Sequence, residues 1–205
     1  MKNNKSPKLG KASYAFVVDG ECEKWYLEML RENEKDKNIT VKPELKLKMS
    51  IKEQYERVKE LAKYGYNKVF WIIDFDTLNK EQAEAKKGKN IIAEFYLYYD
   101  KIKANKKIVI IINNPCLEYW FLLHFKQTSK YYNDYNSLLP NLKKYLPDYE
   151  KSEKYYKKKN KDIYKRLSPL LNIAKDNALK LPNFNIQNTH TGLTEMHLIF
   201  NELNI

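Results

Sequence analysis

Cysteine is nearly missing from this chain. Two residues, Cys22 and Cys116, occur among 205. That is too few for the disulfide framework of a small secreted domain, and it fits a reducing cytoplasm. No C-x-x-C pair exists, which argues against a structural zinc site. Each cysteine lies inside a motif described below, and a small buried thiol near a tight turn is the plain reading. No run of 18 apolar residues occurs, so a transmembrane helix is not expected and the expected partners include no membrane. The opening stretch MKNNKSPKLGKAS is basic but lacks a signal-peptide cleavage pattern. Residues 1–10 read as a mobile basic arm. The phosphate-binding pattern G-x-x-x-x-G-K-[S/T] is absent, so the chain is not itself a P-loop ATPase. Internal repeats are absent as well.

Acidic residues are outnumbered. Against 38 Lys and Arg stand 26 Asp and Glu, giving a net charge of +12 and a pI near 9.4. Such an imbalance favours a polyanionic partner, nucleic acid or an anionic surface. The joint enrichment in Lys, Asn, Ile and Tyr also fits the coding bias of an AT-rich genome.

What is present is an alternating pattern of strands and helices. Ser13–Val18 reads as a strand and Glu21–Asn33 as a helix with Tyr26, Leu27, Met29 and Leu30 on its apolar face. Ile39–Met49 alternates in polarity, and Pro43 marks it as an edge strand. Ser50 and Glu53 form a capping box for a helix that stops at Gly65. Lys68–Ile73 and Lys107–Ile112 are continuous apolar runs, as expected of parallel strands buried on both faces. Between them, Thr77–Lys89 reads as a loop or weak helix and Asn90–Lys103 as a helix. Pro115 suits the first position of a helix continuing through Cys116–Phe125. After Lys126 no strand pattern returns. Helical spacing covers Asn133–Tyr145, Lys161–Leu179 and about Leu193–Leu203. The expected fold class is therefore α/β, with three layers around a mainly parallel sheet at 11–126 and a basic helical extension at 127–205 packed on it.

Chemistry concentrates at the ends of the strands. Asp19-Gly20-Glu21-Cys22-Glu23 follows the first strand, and Asp74-Phe75-Asp76 follows the third. Ligands of open parallel sheets bind at the carboxyl ends of strands. Acidic clusters meeting there repel one another unless a cation lies between them, which points to Mg²⁺ or Mn²⁺. Alternation along a strand would place Asp74 and Asp76 on one side and Phe75 on the other. The plainer reading of Asp19 and Glu23 is stabilisation of a helix N-terminus. For Asp74 and Asp76 it is a pair of surface-loop acids. Asn114-Pro115-Cys116-Leu117-Glu118-Tyr119-Trp120 begins at another strand end, where the Glu118 carboxylate can face the same crevice. His124 reads first as a core histidine.

Basic side chains interleaved with Tyr155, Tyr156 and Tyr164 fill Lys151–Lys165. Such a tract suits a single strand or a phosphate backbone, or is simply a solvated face. Its candidate contacts are Lys157, Lys158, Lys159 and Lys161, with Lys86, Lys87 and Lys89 in the earlier Lys-rich segment.

Three of these motifs carry a resemblance. Val17-Val18-Asp19-Gly20-Glu21-Cys22-Glu23-Lys24-Trp25-Tyr26 resembles the opening V-x-E-G-x-[T/C]-E-x-x-Y of RloB-like proteins. Asp74-Phe75-Asp76 is similar to their D-x-D step. Asn114-Pro115-Cys116-Leu117-Glu118-Tyr119-Trp120-Phe121-Leu122-Leu123-His124-Phe125 is similar to their N-P-x-[F/L]-E-x-W-x-L-x-H-F signature, which is long and specific. The resemblance implies a TOPRIM-like domain and a metal-dependent nuclease of bacterial anti-phage or abortive-infection loci, sometimes beside an ATPase gene. Carried over, Asp19, Asp74 and Asp76 hold Mg²⁺ or Mn²⁺, and Asp19, Glu23 and Glu118 are catalytic. No organic cofactor is implied. One departure stands out. Asp19 replaces the usual Glu and is one methylene shorter. Misplacement on the order of 1 Å can cost roughly 10²-fold in rate. The alternative expectation is a non-catalytic nucleic-acid-binding or regulatory partner of an ATPase. DNA and RNA remain open as substrates.

Overall fold

The computed structural model describes residues 12–18, 20–35, 39–44 as backbone only, and 49–205. The arm expected at 1–10 and the acid Asp19 lie outside the described residues. The first half runs β1 (Ala12–Val17), α1 (Glu21–Asn33), β2 (Ile39–Glu44), α2 (Ile51–Lys63), β3 (Lys68–Asp74), α3 (Phe75–Glu84), α4 (Ile91–Ile102) and β4 (Ile108–Asn114). Then come α5 (Glu118–Leu123), α6 (Tyr135–Leu142), α7 (Glu153–Tyr156), α8 (Ile163–Leu167), α9 (Leu171–Leu179), β5 (Leu193–Thr194) and α10 (His197–Leu203).

The sheet order is β2-β1-β3-β4-β5. Strands β1 to β4 pair in parallel, and β5 joins β4 antiparallel. The α/β class with a mainly parallel sheet thus holds. Pro43 sits opposite Phe16 on the outermost strand, the place in a sheet where a missing N–H is tolerated. Side chains alternate between the two faces. Tyr14, Phe16, Val18, Phe70, Ile72 and Ile111 join one buried cluster. Ala15, Val17, Val69, Trp71, Ile73 and Ile112 join the other.

Helix α1 packs on the first face through Tyr26, Leu27 and Leu30. Helices α2 and α4 cover the second through Ile51, Tyr55, Val58, Ile91 and Phe95. The chain leaving β1 therefore turns to one face, while the chains leaving β2 and β3 turn to the other. A crevice opens at such a divergence, between the carboxyl ends of β1 and β3. The first cluster continues through Leu138, Leu142, Tyr156, Leu167 and Phe200, so residues on both sides of position 126 share one core.

The Ser50 capping box forms, with Glu53 N–H and side chain reciprocating. Four expectations change. Strand β3 ends at Asp74 and α3 begins at Phe75, so Asp76 occupies the first helical turn rather than a strand position. The segment from Thr77 is helical as far as Glu84. Pro115 precedes α5 instead of opening it, after a cis Asn114–Pro115 bond, and α5 starts at Glu118. Finally, Leu193 and Thr194 add a strand to the sheet, too short for any periodicity to mark it.

Candidate functional site

A cleft of about 620 Å³ opens at the carboxyl ends of β1 and β3. Glu23, Asp74 and Asp76 line it together with Gly20, Cys22, Lys80, Tyr135 and Lys151. That volume accommodates a small ligand or a nucleotide-sized group.

Each acid reaches the cleft for a local reason. Glu23 lies in the first turn of α1, and its carboxyl folds back against Gly20. A Cβ at position 20 would collide with the Glu23 carboxyl oxygen, so glycine there serves close approach. Asp74 ends β3, and its two oxygens are tied to the third motif. Oδ1 accepts from Asn113 Nδ2 at 3.0 Å and Oδ2 from the Leu117 N–H at 3.1 Å. Asp76 donates its own N–H to the Pro115 carbonyl and accepts the Tyr135 N–H at 3.1 Å. Its carboxylate therefore joins α3 to the N-terminus of α6.

Glu118 stands apart from the cleft lining. It is fully buried at the start of α5. Its Oε1 accepts from Tyr149 Oη at 2.5 Å and pairs with Lys151 Nζ at 3.1 Å. Its Oε2 is buried with no hydrogen-bond partner. Tyr149 is bonded in turn to Tyr156 at 2.7 Å, and Tyr156 to the Cys22 thiol. Lys151 also lies 3.9 Å from the centre of the Tyr135 ring.

The charges are crowded. Burial, with Glu118 close by, pushes Glu23 up to about 7. Burial and the neighbouring carboxylates of Glu23, Asp76 and Glu118 hold Asp74 well above the ordinary range. Burial also raises Asp76, with Lys151 opposing. Lys151 loses solvation, yet the surrounding groups, Glu118 foremost with Cys116, Cys22 and Asp74, together outweigh that loss and hold it protonated well above the usual lysine range. Burial raises the Cys22 thiol to about 12 and holds Cys116 well above the ordinary thiol range, so neither is a nucleophile near neutrality. His124 is a core residue: its Nδ1 is bonded to the Trp120 carbonyl at 2.9 Å, and burial lowers it to about 4.

The structure thus brings Glu23, Asp74 and Asp76 into one cleft and sets Glu118 behind it. The basic candidates lie elsewhere. Lys86 and Lys89 line a separate depression beside Met49 and Ser50, and Lys87 is exposed nearby. Lys157 pairs with Glu28 at 2.7 Å and Glu153 at 2.6 Å. Lys158, Lys159 and Lys161 are exposed outside the cleft lining. The cationic side chains at the cleft are Lys80 and Lys151. Lys151 opens the Lys/Tyr tract, but only the fold tells it apart from the other lysines.

A family model described as RloB-like protein matches residues 14–203. The chain belongs to the RloB-like family. That match covers nearly the whole chain, so the residues after 126 are part of the family's body. No curated protein and no solved structure matches the chain. No helix among the described residues is long and apolar enough to cross a membrane.

The donor chemistry of the cleft fits a hard divalent cation. Its acidic donors are oxygens that repel one another, and behind the lining the buried Glu118 Oε2 lacks a partner. Among the described residues, however, no three His, Cys, Asp or Glu side chains are arranged to hold an ion.

Proposed function

We propose that this RloB-like protein is a Mg²⁺- or Mn²⁺-dependent nuclease of TOPRIM type that cleaves phosphodiester bonds in bacterial anti-phage defence, in the cytoplasm. The observation that carries the reading is the meeting of Glu23, Asp74 and Asp76 at the carboxyl ends of β1 and β3, in a chain of net charge +12. A carboxylate cluster on a basic protein suits an ion that meets a phosphate backbone.

Asp74 and Asp76 would hold the ion together with Asp19. Once bound, a divalent ion polarises the phosphoryl oxygens and lowers the pKa of a water. Glu23, raised to about 7, is poised to take and return a proton near neutral pH. Lys80 lines the cleft and supplies charge toward a phosphate. Exposed lysines such as Lys158 and Lys159 would guide the polyanion over longer range.

The test is cleavage of supercoiled plasmid and of total tRNA by purified protein with Mg²⁺, Mn²⁺ or EDTA, beside Asp74→Asn/Asp76→Asn. Metal-dependent cutting should fall by at least roughly 100-fold in the double variant, the scale of losing a main electrostatic contribution. Cutting that persists at the wild-type rate would overturn the assignment.

A second reading has its own support. Asp74 is already bonded through both oxygens, and Glu118 is neutralised by Lys151. This favours a non-catalytic nucleic-acid-binding or regulatory partner of an ATPase. A stable complex with such an ATPase, without cleavage under any divalent metal, would select it.

A further inference from the structure

Of the two lysines at the cleft, Lys151 forms an ion pair with a buried acid. Lys151 sits in the turn before α7, far in sequence from every acid it faces. Its ammonium reaches Glu118 Oε1 at 3.1 Å, beyond the ring of Tyr135. Its side chain remains about one-third exposed, at 36%. The field of this one charge reaches Glu23, Asp76, Asp74 and Cys22. Glu118 is held by two donors on one oxygen and by none on the other. A carboxylate so placed has a free acceptor beside a salt bridge.

We infer that Lys151 is a built-in counter-cation that a divalent ion must displace, so that the ammonium and the metal are alternative partners of the same acidic cluster. This rests on the cation-binding part of the function proposed above and does not depend on cleavage. Two arguments carry it. Two cations confined to one small cleft repel strongly, because charges a few ångströms apart in a partly buried site are only weakly screened by solvent. And Lys151 is able to move away: its stem is flexible, its head is partly solvated, and lysine makes a point-charge contact without a rigid fork, while the cost of parting it from the buried Glu118 is what the incoming ion must outweigh. Tyr149 stays on Glu118 when the ammonium departs, so the carboxylate keeps one donor.

The experiment reads metal binding, with Mn²⁺ as the probe. Mn²⁺ affinity is measured by calorimetry and by electron paramagnetic resonance of the free ion for the wild type, Lys151→Met, Lys151→Arg, Glu118→Gln and Glu118→Gln/Lys151→Met. Lys151→Met should bind Mn²⁺ about tenfold more tightly than the wild type, and Lys151→Arg within about twofold of it. In the Glu118→Gln background the gain should shrink below about threefold, since the pair is then already broken. Wild-type protein gives a second readout that needs no variant to fold. Acylation of Lys151 by a soluble anhydride, followed by mass spectrometry, should rise at least about threefold when Mn²⁺ is added, while Lys158 stays constant.

Unchanged or weaker Mn²⁺ affinity in Lys151→Met, a gain that persists in the Glu118→Gln background, or a Lys151 reactivity that ignores Mn²⁺ would each overturn the inference. Mn²⁺ binding by none of the proteins would overturn it together with the metal reading of the site. Mn²⁺ binding that follows the expected order without cleavage would uphold the inference and sink the nuclease.

Discussion

The two faces of the sheet are built from different materials. The face covered by α2, α3 and α4 is almost wholly apolar. Its buried side-chain hydrogen bonds include neutral ones, Trp71 Nε1–H donating to Gln54 at 2.9 Å and Gln54 Nε2 donating to the Met49 carbonyl at 3.3 Å. The opposite face, covered by α1 and the helices after β4, buries Glu118, His124, Asp162 and Asn177 beside its aromatic rings. Tyr149, Tyr156 and Tyr26 there use their hydroxyls on Glu118, on one another and on Trp120. A polar group is buried without partners only at a cost of roughly 1–3 kcal/mol, so the first face is the cheaper one to build. The second carries a charged network that stability alone does not require. The cleft lies where the two faces meet at the strand ends, with Glu23 from α1 and Asp76 and Lys80 from α3, and the buried charged network runs from there along the side of α1 and α5.

The largest effect should come from breaking the scaffold. Trp71 is fully buried and edges against Phe95. Trp71→Ala should cost about 3–5 kcal/mol in urea unfolding, from the lost side chain and the cavity it leaves. Mn²⁺ affinity of the folded fraction should stay within about twofold, because Trp71 points away from the acids. A tenfold loss of affinity would show that the faces are not independent.

Next in size is a pH effect. Burial raises Glu195 from 4.5 to about 7, although the Ile112 N–H bonds its carboxylate at 2.9 Å. The folded state then holds a proton that the unfolded state releases between those values. Its stabilising contribution is complete below about pH 4.5 and is lost as pH rises through 7, by up to about 3 kcal/mol. Glu195→Gln should flatten that decline when urea unfolding is repeated between pH 4.5 and 8. A parallel decline in wild type and variant would assign the pH dependence to other groups, with Glu23 first among them.

A smaller loss tests the charged network itself. Tyr149→Phe removes a neutral donor from Glu118 and leaves Lys151 alone with the carboxylate. About 2 kcal/mol of stability should go, the usual worth of a hydrogen bond to a charged group. If thermal and urea unfolding show no loss, Lys151 suffices to hold Glu118.

Much of this was readable from sequence because strands and caps are local. The apolar runs of β3 and β4, the Ser50 capping box and the edge position of Pro43 depend on neighbours a few residues away. So did the convergence of Glu23 with Asp74 and Asp76, since both clusters end parallel strands. The partners of Glu118 were not readable. Tyr149 and Lys151 come from 31 and 33 positions downstream, and nothing in a Lys/Tyr-rich tract separates Lys151 from Lys154 or Lys158. Register hid the position of Asp76 too. An i, i+2 pair looks alike on a strand or across a strand–helix boundary, and only the fold shows Asp76 in the first turn of α3.

Strand β5 offers the finest test of the contrast between the faces. Thr194 Oγ1 donates to Asn113 Oδ1 at 2.6 Å and accepts the Met196 N–H at 3.3 Å, while Asn113 Nδ2 donates to Asp74. A two-residue strand adds little pairing, so its value lies in fixing the Asn113 amide, and through it the Asp74 carboxylate. Thr194→Val keeps the shape and removes the hydroxyl. It should cost about 1 kcal/mol, the size of one net hydrogen bond. The change should also be felt at Leu117, whose N–H is the other donor to Asp74. Its amide resonance should shift while that of Val69, at the far end of the sheet, stays fixed. A shift at Leu117 makes β5 a positioning element for the acid. A silent Leu117 amide with the same stability loss would confine the hydroxyl to holding Asn113 and separate the strand from the site.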